Sequence, residues 1–200
     1  MGTISWDEFK AFAQSFLTVS DEINDGWAWQ GDQDQLAGAF IAKKIKQLLR
    51  KQRSLPAEDE TDPFEDTSCQ TEDNHIAEEL NGSQQECTWE YHILYSPSYA
   101  TPVLFFNVFT SDGHLVPLES LWKGGTQGAL QHLRWEALSQ QEHPVLRRPY
   151  YYLHPCKTAE LLNLHQGSST NPIVTWLSSM GPAIGLHLDI AYGHLVQNQR

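Results

Sequence analysis

Two hundred residues, 40% of them hydrophobic and seven of them tryptophan, supply enough apolar surface for one well-formed core and too little for two, so a single domain over 1–200 is expected. No stretch reaches the roughly 18 uninterrupted apolar residues that cross a bilayer, and Met1 to Glu8 lacks the basic start and apolar run of a signal peptide; the reading is a cytoplasmic chain that is not an integral membrane protein. The net charge of -12 is local: eleven of the 25 acids lie between Leu55 and Glu86 without one Lys or Arg, the other 14 nearly balance the 13 bases, and no basic groove for nucleic acid is expected.

Taken in chain order, Trp6, Phe9, Ala13, Phe16 and Leu17 recur at helical spacing, with Ser5 placed to cap and Asp7 and Glu8 in the first turn. This predicts an amphipathic helix over 5–19 whose aromatic stripe belongs to the core. Trp27-Ala28-Trp29 alternates as a strand does, while Leu36 to Arg50 suits either strand or helix and ends in basic residues. Residues from about 54 to 86 are acidic and polar with few large apolar side chains, so they read as a disordered acidic insertion. Trp89–Tyr95 and Thr101–Thr110 read as strands joined at Ser96-Pro97-Ser98, and Ser111-Asp112-Gly113-His114 signals a second tight turn. Beyond Leu118 the texture turns helical and irregular, closing with a buried helix from Pro172 that Gly181-Pro182 ends. The fold class is α+β: a central antiparallel β-meander with flanking helices.

Cys69, Cys87 and Cys156 are too few and too scattered for a disulfide framework in a reducing compartment. Cys69, His75, Cys87 and His92 lack the close pairing of structural zinc ligands, so neither metal nor cofactor is expected. Cys156 is different. It follows two His-Pro pairs, His143-Pro144 and His154-Pro155, on a stretch from Gln140 to Thr158 that the prolines make an irregular loop, and Thr158 can cap a short helix over Ala159–Leu162. A cysteine just ahead of a helix start, beside Lys157 and His154, is placed for thiolate formation. The same residue type is as readily a small buried side chain, and spacing leaves both readings open.

Several ordered motifs decide between them. Glu90 to Ser96, Pro102 to Phe106, Asp112-Gly113, Leu121-Trp122, Gln140 to Pro144, Leu153-His154-Pro155-Cys156-Lys157-Thr158, and Thr175-Trp176-Leu177-Ser178 before Gly181-Pro182 occur in that order. Together, over residues 1 to 30 and 88 to 195, they resemble the family of autophagy conjugating enzymes that join autophagy modifier twelve, a ubiquitin-like protein, to autophagy protein five. The resemblance implies a divergent ubiquitin-conjugating-enzyme-like core and a thioester cysteine at Cys156. It also implies as partners the modifier, its activating enzyme, and protein five as the lysine-bearing target, with autophagy modifier eight as a further candidate.

Ordinary ubiquitin-conjugating enzymes carry His-Pro-Asn, whereas neither His-Pro pair here is followed by Asn. The oxyanion donor is therefore unassigned, with backbone N–H groups after Cys156 able to serve and His154 and His143 as candidates for shaping the site. Target docking is expected on the hairpin from Thr101 to Leu118, through His114 and Leu115 beside its turn. Two other functions compete: a cysteine hydrolase pairing Cys156 with His143, His165, His187 or His194, and a non-catalytic conjugating-enzyme-like adaptor.

Overall fold

The computed structural model describes residues 3–36, 38–50, 84–123, 138–164 and 170–196, without the side chains of Arg50, Trp122, Lys123 and Lys157. Helix α1 (Trp6–Glu22) starts where the local chemistry starts it: the Ser5 hydroxyl accepts the Glu8 N–H at 3.2 Å, and the Glu8 carboxylate accepts the Ser5 N–H at 2.7 Å. The chain then forms β1 (Ala28–Gly31), β2 (Ala39–Arg50), β3 (Gln84–Ser96), β4 (Thr101–Thr110), the short α2 (Leu118–Lys123), β5 (Leu138–Glu142), β6 (Pro149–Leu153), α3 (Pro155–Leu164) and α4 (Pro172–Met180). Two short 3-10 turns, Gly181–Ile184 and Ile190–Leu195, follow. The six strands make one antiparallel sheet in the order β1-β2-β3-β4-β6-β5.

The meander and its flanking helices are as the sequence implies, and the Leu36 to Arg50 ambiguity resolves as strand β2. Three elements differ. The stretch from Gln140 to Thr158 is not irregular: β5 and β6 form a hairpin inside it, which tolerates Pro149 because a strand's first residue can forgo its N–H. The Asp112-Gly113 turn returns the chain only for the single bridge Phe109↔Leu115, and the neighbour that β4 acquires is the distant β6. The acidic insertion lies largely outside the described residues, but its last members, Gln84, Gln85 and Glu86, open β3 opposite Arg50, Leu49 and Leu48.

Both faces of the sheet are apolar near its middle. Tyr91, Ile93, Leu104, Phe106, Tyr151 and Leu153 face α1 and α4, where Phe9, Phe16, Ile173 and Trp176 meet them. Leu94, Val103, Phe105, Tyr150 and Tyr152 face the other way and are covered by Val145 and Leu146 of the β5–β6 turn. Burial on both faces explains why Val103 to Val108 is apolar or aromatic at every position but Asn107. The nearly inaccessible Lys43 ammonium pairs with Asp25, which also accepts from the Tyr192 hydroxyl at 2.8 Å, tying the end of α1 to β2 and the last 3-10 turn.

Arg50 and Gln84, which flank 51–83, are paired across β2 and β3. Replacing 51–83 with Asn-Gly shortens the connection and reduces its closure cost by about 2 kcal/mol, at about 0.6 kcal/mol per halving of length. Thermal melts should show a midpoint equal to or above that of the parent chain. A fall of more than about 5 °C would mean that 51–83 packs against the sheet. Asp25→Ala, in contrast, strands the Lys43 charge and should cost about 3 kcal/mol in urea unfolding.

Candidate active site

Strand β6 ends at the buried Leu153, and within three residues the chain has turned into α3 with Cys156 in its first turn. The helix thus begins before Thr158, whose hydroxyl is buried without a hydrogen-bond partner among the described residues and caps nothing. Two neighbours take over the work of starting it. Pro155 has the φ of a helical first residue and no N–H to satisfy, and the His154 ring supplies the acceptor, its Nδ1 taking the Cys156 N–H at 3.2 Å.

The same Nδ1 lies 2.7 Å from Cys156 Sγ. A nitrogen that accepts the backbone N–H carries no proton, which puts the neutral ring's proton on Nε2 and leaves the thiol to donate to Nδ1. The thiol is half-buried in the first turn of α3, within hydrogen-bond distance of an unprotonated ring nitrogen that can take its proton. Tyr99 and Tyr152 wall the imidazole edge-on at ring separations of 5.8 and 6.2 Å. Burial first, and then the neighbouring Tyr99 and Cys156 charges, push the Tyr152 hydroxyl above its ordinary range, so it stays protonated. The sequence reading missed both tyrosines; Tyr99 reaches the site only through the β3–β4 turn, which no local pattern announces.

Cys87 sits on the helix-facing side of β3, fully buried, where desolvation raises its thiol pKa and makes it inert. It also faces away from His92, which packs on the other side of the strand, so these two cannot share a metal; Cys69 and His75 lie outside the described residues.

His143 is not beside Cys156. Its buried Nδ1 accepts the N–H groups of Val145 and Leu146 at 3.2 and 3.1 Å, and its Nε2 lies 3.2 Å from His92 Nδ1. Its ring is thereby committed to holding the β5–β6 turn over the second sheet face, among Phe40, Phe105 and Tyr150. His187 and His194 are exposed on the C-terminal segment and His165 lies outside the described residues. His114 and Leu115 are exposed at the turn after β4, with His114 Nδ1 held 2.8 Å from Asp112 and its backbone N–H donated to Thr110 Oγ1 at 3.1 Å. They form a surface well separated along the chain from the thiol.

The sequence model of the autophagocytosis associated protein, active-site domain, matches residues 8–190. Over 205 aligned residues the chain is 30% identical to a human ubiquitin-like-conjugating enzyme, ATG10, covering 92% of this chain and 90% of that protein. Ubiquitin-like-conjugating enzymes of the same name from Arabidopsis thaliana and Dictyostelium discoideum match at 32% and 30% identity over about half of each chain.

The two buried imidazoles make stability depend on pH. Desolvation is the main cause that depresses both, His92 to about 4 and His143 to about 3, with Glu90 opposing the shift at His92 and Lys44 and Arg148 reinforcing it. Both folded values lie below the unfolded value, so the unfolded chain binds more protons as pH falls through 6.5, and stability present at pH 7 is lost from there downward. Chemical denaturation between pH 7 and 5 should show a loss on the order of 1–2 kcal/mol per pH unit below 6.5. His143→Asn should lower stability at pH 7 and make that slope shallower; an unchanged slope would remove this pair as its source.

Proposed function

Since the chain belongs to the family of autophagocytosis-associated proteins with this active-site domain, we propose that it forms a thioester between Cys156 and the C-terminal glycine of autophagy modifier twelve and passes it to a lysine of autophagy protein five. At the coarser level it is a ubiquitin-like-protein conjugating transferase of autophagy. The observation that supports Cys156 as the thioester cysteine is the contact of 2.7 Å between its Sγ and His154 Nδ1 at the first turn of α3.

The thiol proton moves to His154 Nδ1, and the thiolate attacks the modifier's carbonyl where it is bound as a thioester on the activating enzyme. The new carbon–sulfur bond forms as the old one breaks, and the activating enzyme's cysteine leaves. Backbone N–H groups of the first turn of α3 receive the developing oxyanion, a role that needs donors but no side chain. In the second half the neutral target amine attacks the same carbonyl, the Cys156 sulfur leaves, and the proton that the amine nitrogen sheds returns the sulfur to a thiol. An amine with a free pKa near 10.4 must be desolvated to react at cytosolic pH, so the enzyme's main contribution is to hold two proteins in reacting geometry.

His154 acts on the thiol directly, while His143 shapes the site from a distance by holding the turn that covers β6. Target docking falls on the turn after β4, where Thr110 and Asp112 hold His114 in place and leave the Leu115 side chain partly exposed for a partner. A cysteine hydrolase would need an oriented general base that activates water. His143 cannot be that base with its Nδ1 already occupied by two backbone N–H groups.

With activating enzyme, ATP and modifier, the wild-type chain should give an adduct that reductant removes. Cys156→Ser should give one that resists reductant and yields only to alkali, because an ester replaces the thioester, and Cys87→Ser should charge normally. A reductant-sensitive adduct on the Cys156→Ser chain would remove Cys156 from this role. His114→Asp with Leu115→Asp should charge within about twofold of wild type yet transfer to protein five at least tenfold more slowly. Equal transfer would move the docking site elsewhere.

A further inference from the structure

The segment ahead of α1 is bound to the turn that carries Tyr99. Ile4 is buried, and both of its backbone polar groups are used: its N–H donates to the Ala100 carbonyl at 2.8 Å, and its carbonyl accepts from the Tyr95 hydroxyl at 2.9 Å. Tyr95 is itself buried between Trp6 and Phe9, at ring separations of 5.6 and 5.7 Å, so α1 fixes the hydroxyl that fixes Ile4. On the other side of this clamp the turn is under constraint. Ala100 holds a φ of 49°, a left-handed conformation that a residue with a Cβ adopts at a cost and keeps only when its surroundings enforce it. The residue before it, Tyr99, is half exposed to solvent, yet its ring meets His154 edge-on at 5.8 Å and 77°. Nothing in β3 or β4 alone requires that approach, since the strand register ends at Ser96↔Thr101 and leaves the four residues between them to the turn.

We propose that Ile4 and Tyr95 are positioning residues for Cys156: by clamping the β3–β4 turn at Ala100 they hold the Tyr99 ring against His154, and so keep its Nδ1 in proton-transfer contact with the thiol. Ile4 is then part of the reactive centre's scaffold, acting through the β3–β4 turn. Release of the clamp lets the turn relax toward an ordinary conformation, withdraws the Tyr99 wall, and frees the imidazole to rotate. The thiol loses its proton acceptor while the core of the sheet stays in place. The inference rests on the reading of Cys156 as the reactive thiol, but not on which protein it accepts.

The test is the pH dependence of Cys156 alkylation by iodoacetamide, followed on the Cys156 peptide by mass spectrometry in the full chain. This readout follows the thiolate and needs no activating enzyme. Tyr95→Phe, which removes only the hydroxyl that donates to the Ile4 carbonyl, and Tyr99→Ala should each slow alkylation at pH 7 by about threefold or more and raise the midpoint by about half a unit. Ile4→Pro removes the N–H that the Ala100 carbonyl accepts and should reproduce the Tyr95→Phe profile, which guards against a folding defect peculiar to one variant. A wild-type profile in both Tyr95→Phe and Ile4→Pro would overturn the proposal, even if Tyr99→Ala shifted it. Failure of the wild-type chain to charge with modifier, with these profiles shifted as expected, would count against the proposed function and leave the clamp standing.

Discussion

The site depends on how firmly β6 is held. That strand lies between β4 and β5 and is buried on both faces, with Tyr151 and Leu153 toward the helices and Tyr150 and Tyr152 toward the β5–β6 turn. Because the chain runs from Leu153 into α3 without a flexible connection, the strand's position becomes the thiol's position. A strand packed on one face only would leave Cys156 on a mobile edge. Preorganisation of a nucleophile is worth most when its scaffold cannot shift by even an ångström, and a doubly buried strand meets that condition.

The second sheet face explains how so small a cover suffices. Val145 and Leu146 are drawn over it by their backbone N–H groups, both of which bind the His143 ring, and His143 in turn is set by His92. Since His143 accepts at Nδ1, its neutral form donates from Nε2 to His92 Nδ1, so both tautomers follow from the geometry. The pair works only while both rings are neutral. It joins a polar hub to an apolar cluster, and Tyr150, which donates to Glu90 at 3.1 Å beside the Lys44–Glu90 pair, continues the same line of contacts toward the solvent.

What could be read from the sequence was what is decided locally. Ser5 and Glu8 form their capping box within one turn, the stripe of Phe9, Ala13, Phe16 and Leu17 has helical period, and α4 begins at Pro172 under the Asn171 cap. The position of Cys156 near a helix start was legible for the same reason, but its exact turn was not. Thr158 is the better cap by residue type, and the structure uses the His154 ring instead because Pro155 already favours the helical first position. The β5–β6 hairpin was hidden by Pro144 and Pro149, which read as breakers although one lies in the turn and the other opens a strand. The pairing of β4 with β6, the place of His143 on the far face, and the approach of Tyr99 to His154 are long-range outcomes of sheet assembly, for which a single chain carries no periodic signal.

An absent His-Pro-Asn motif need not leave the reaction without electrostatic help. The turn from β6 into α3 sets a ring nitrogen 2.7 Å from the sulfur in the first turn of a helix, where backbone N–H groups have no partner within the helix. The most direct measurement is mass spectrometry of the chain charged with modifier and digested at low pH without reductant. The account predicts a branched peptide in which the modifier's C-terminal glycine is joined through sulfur to Cys156. The same glycine found on another cysteine, on a lysine of this chain, or on none of its residues would contradict it.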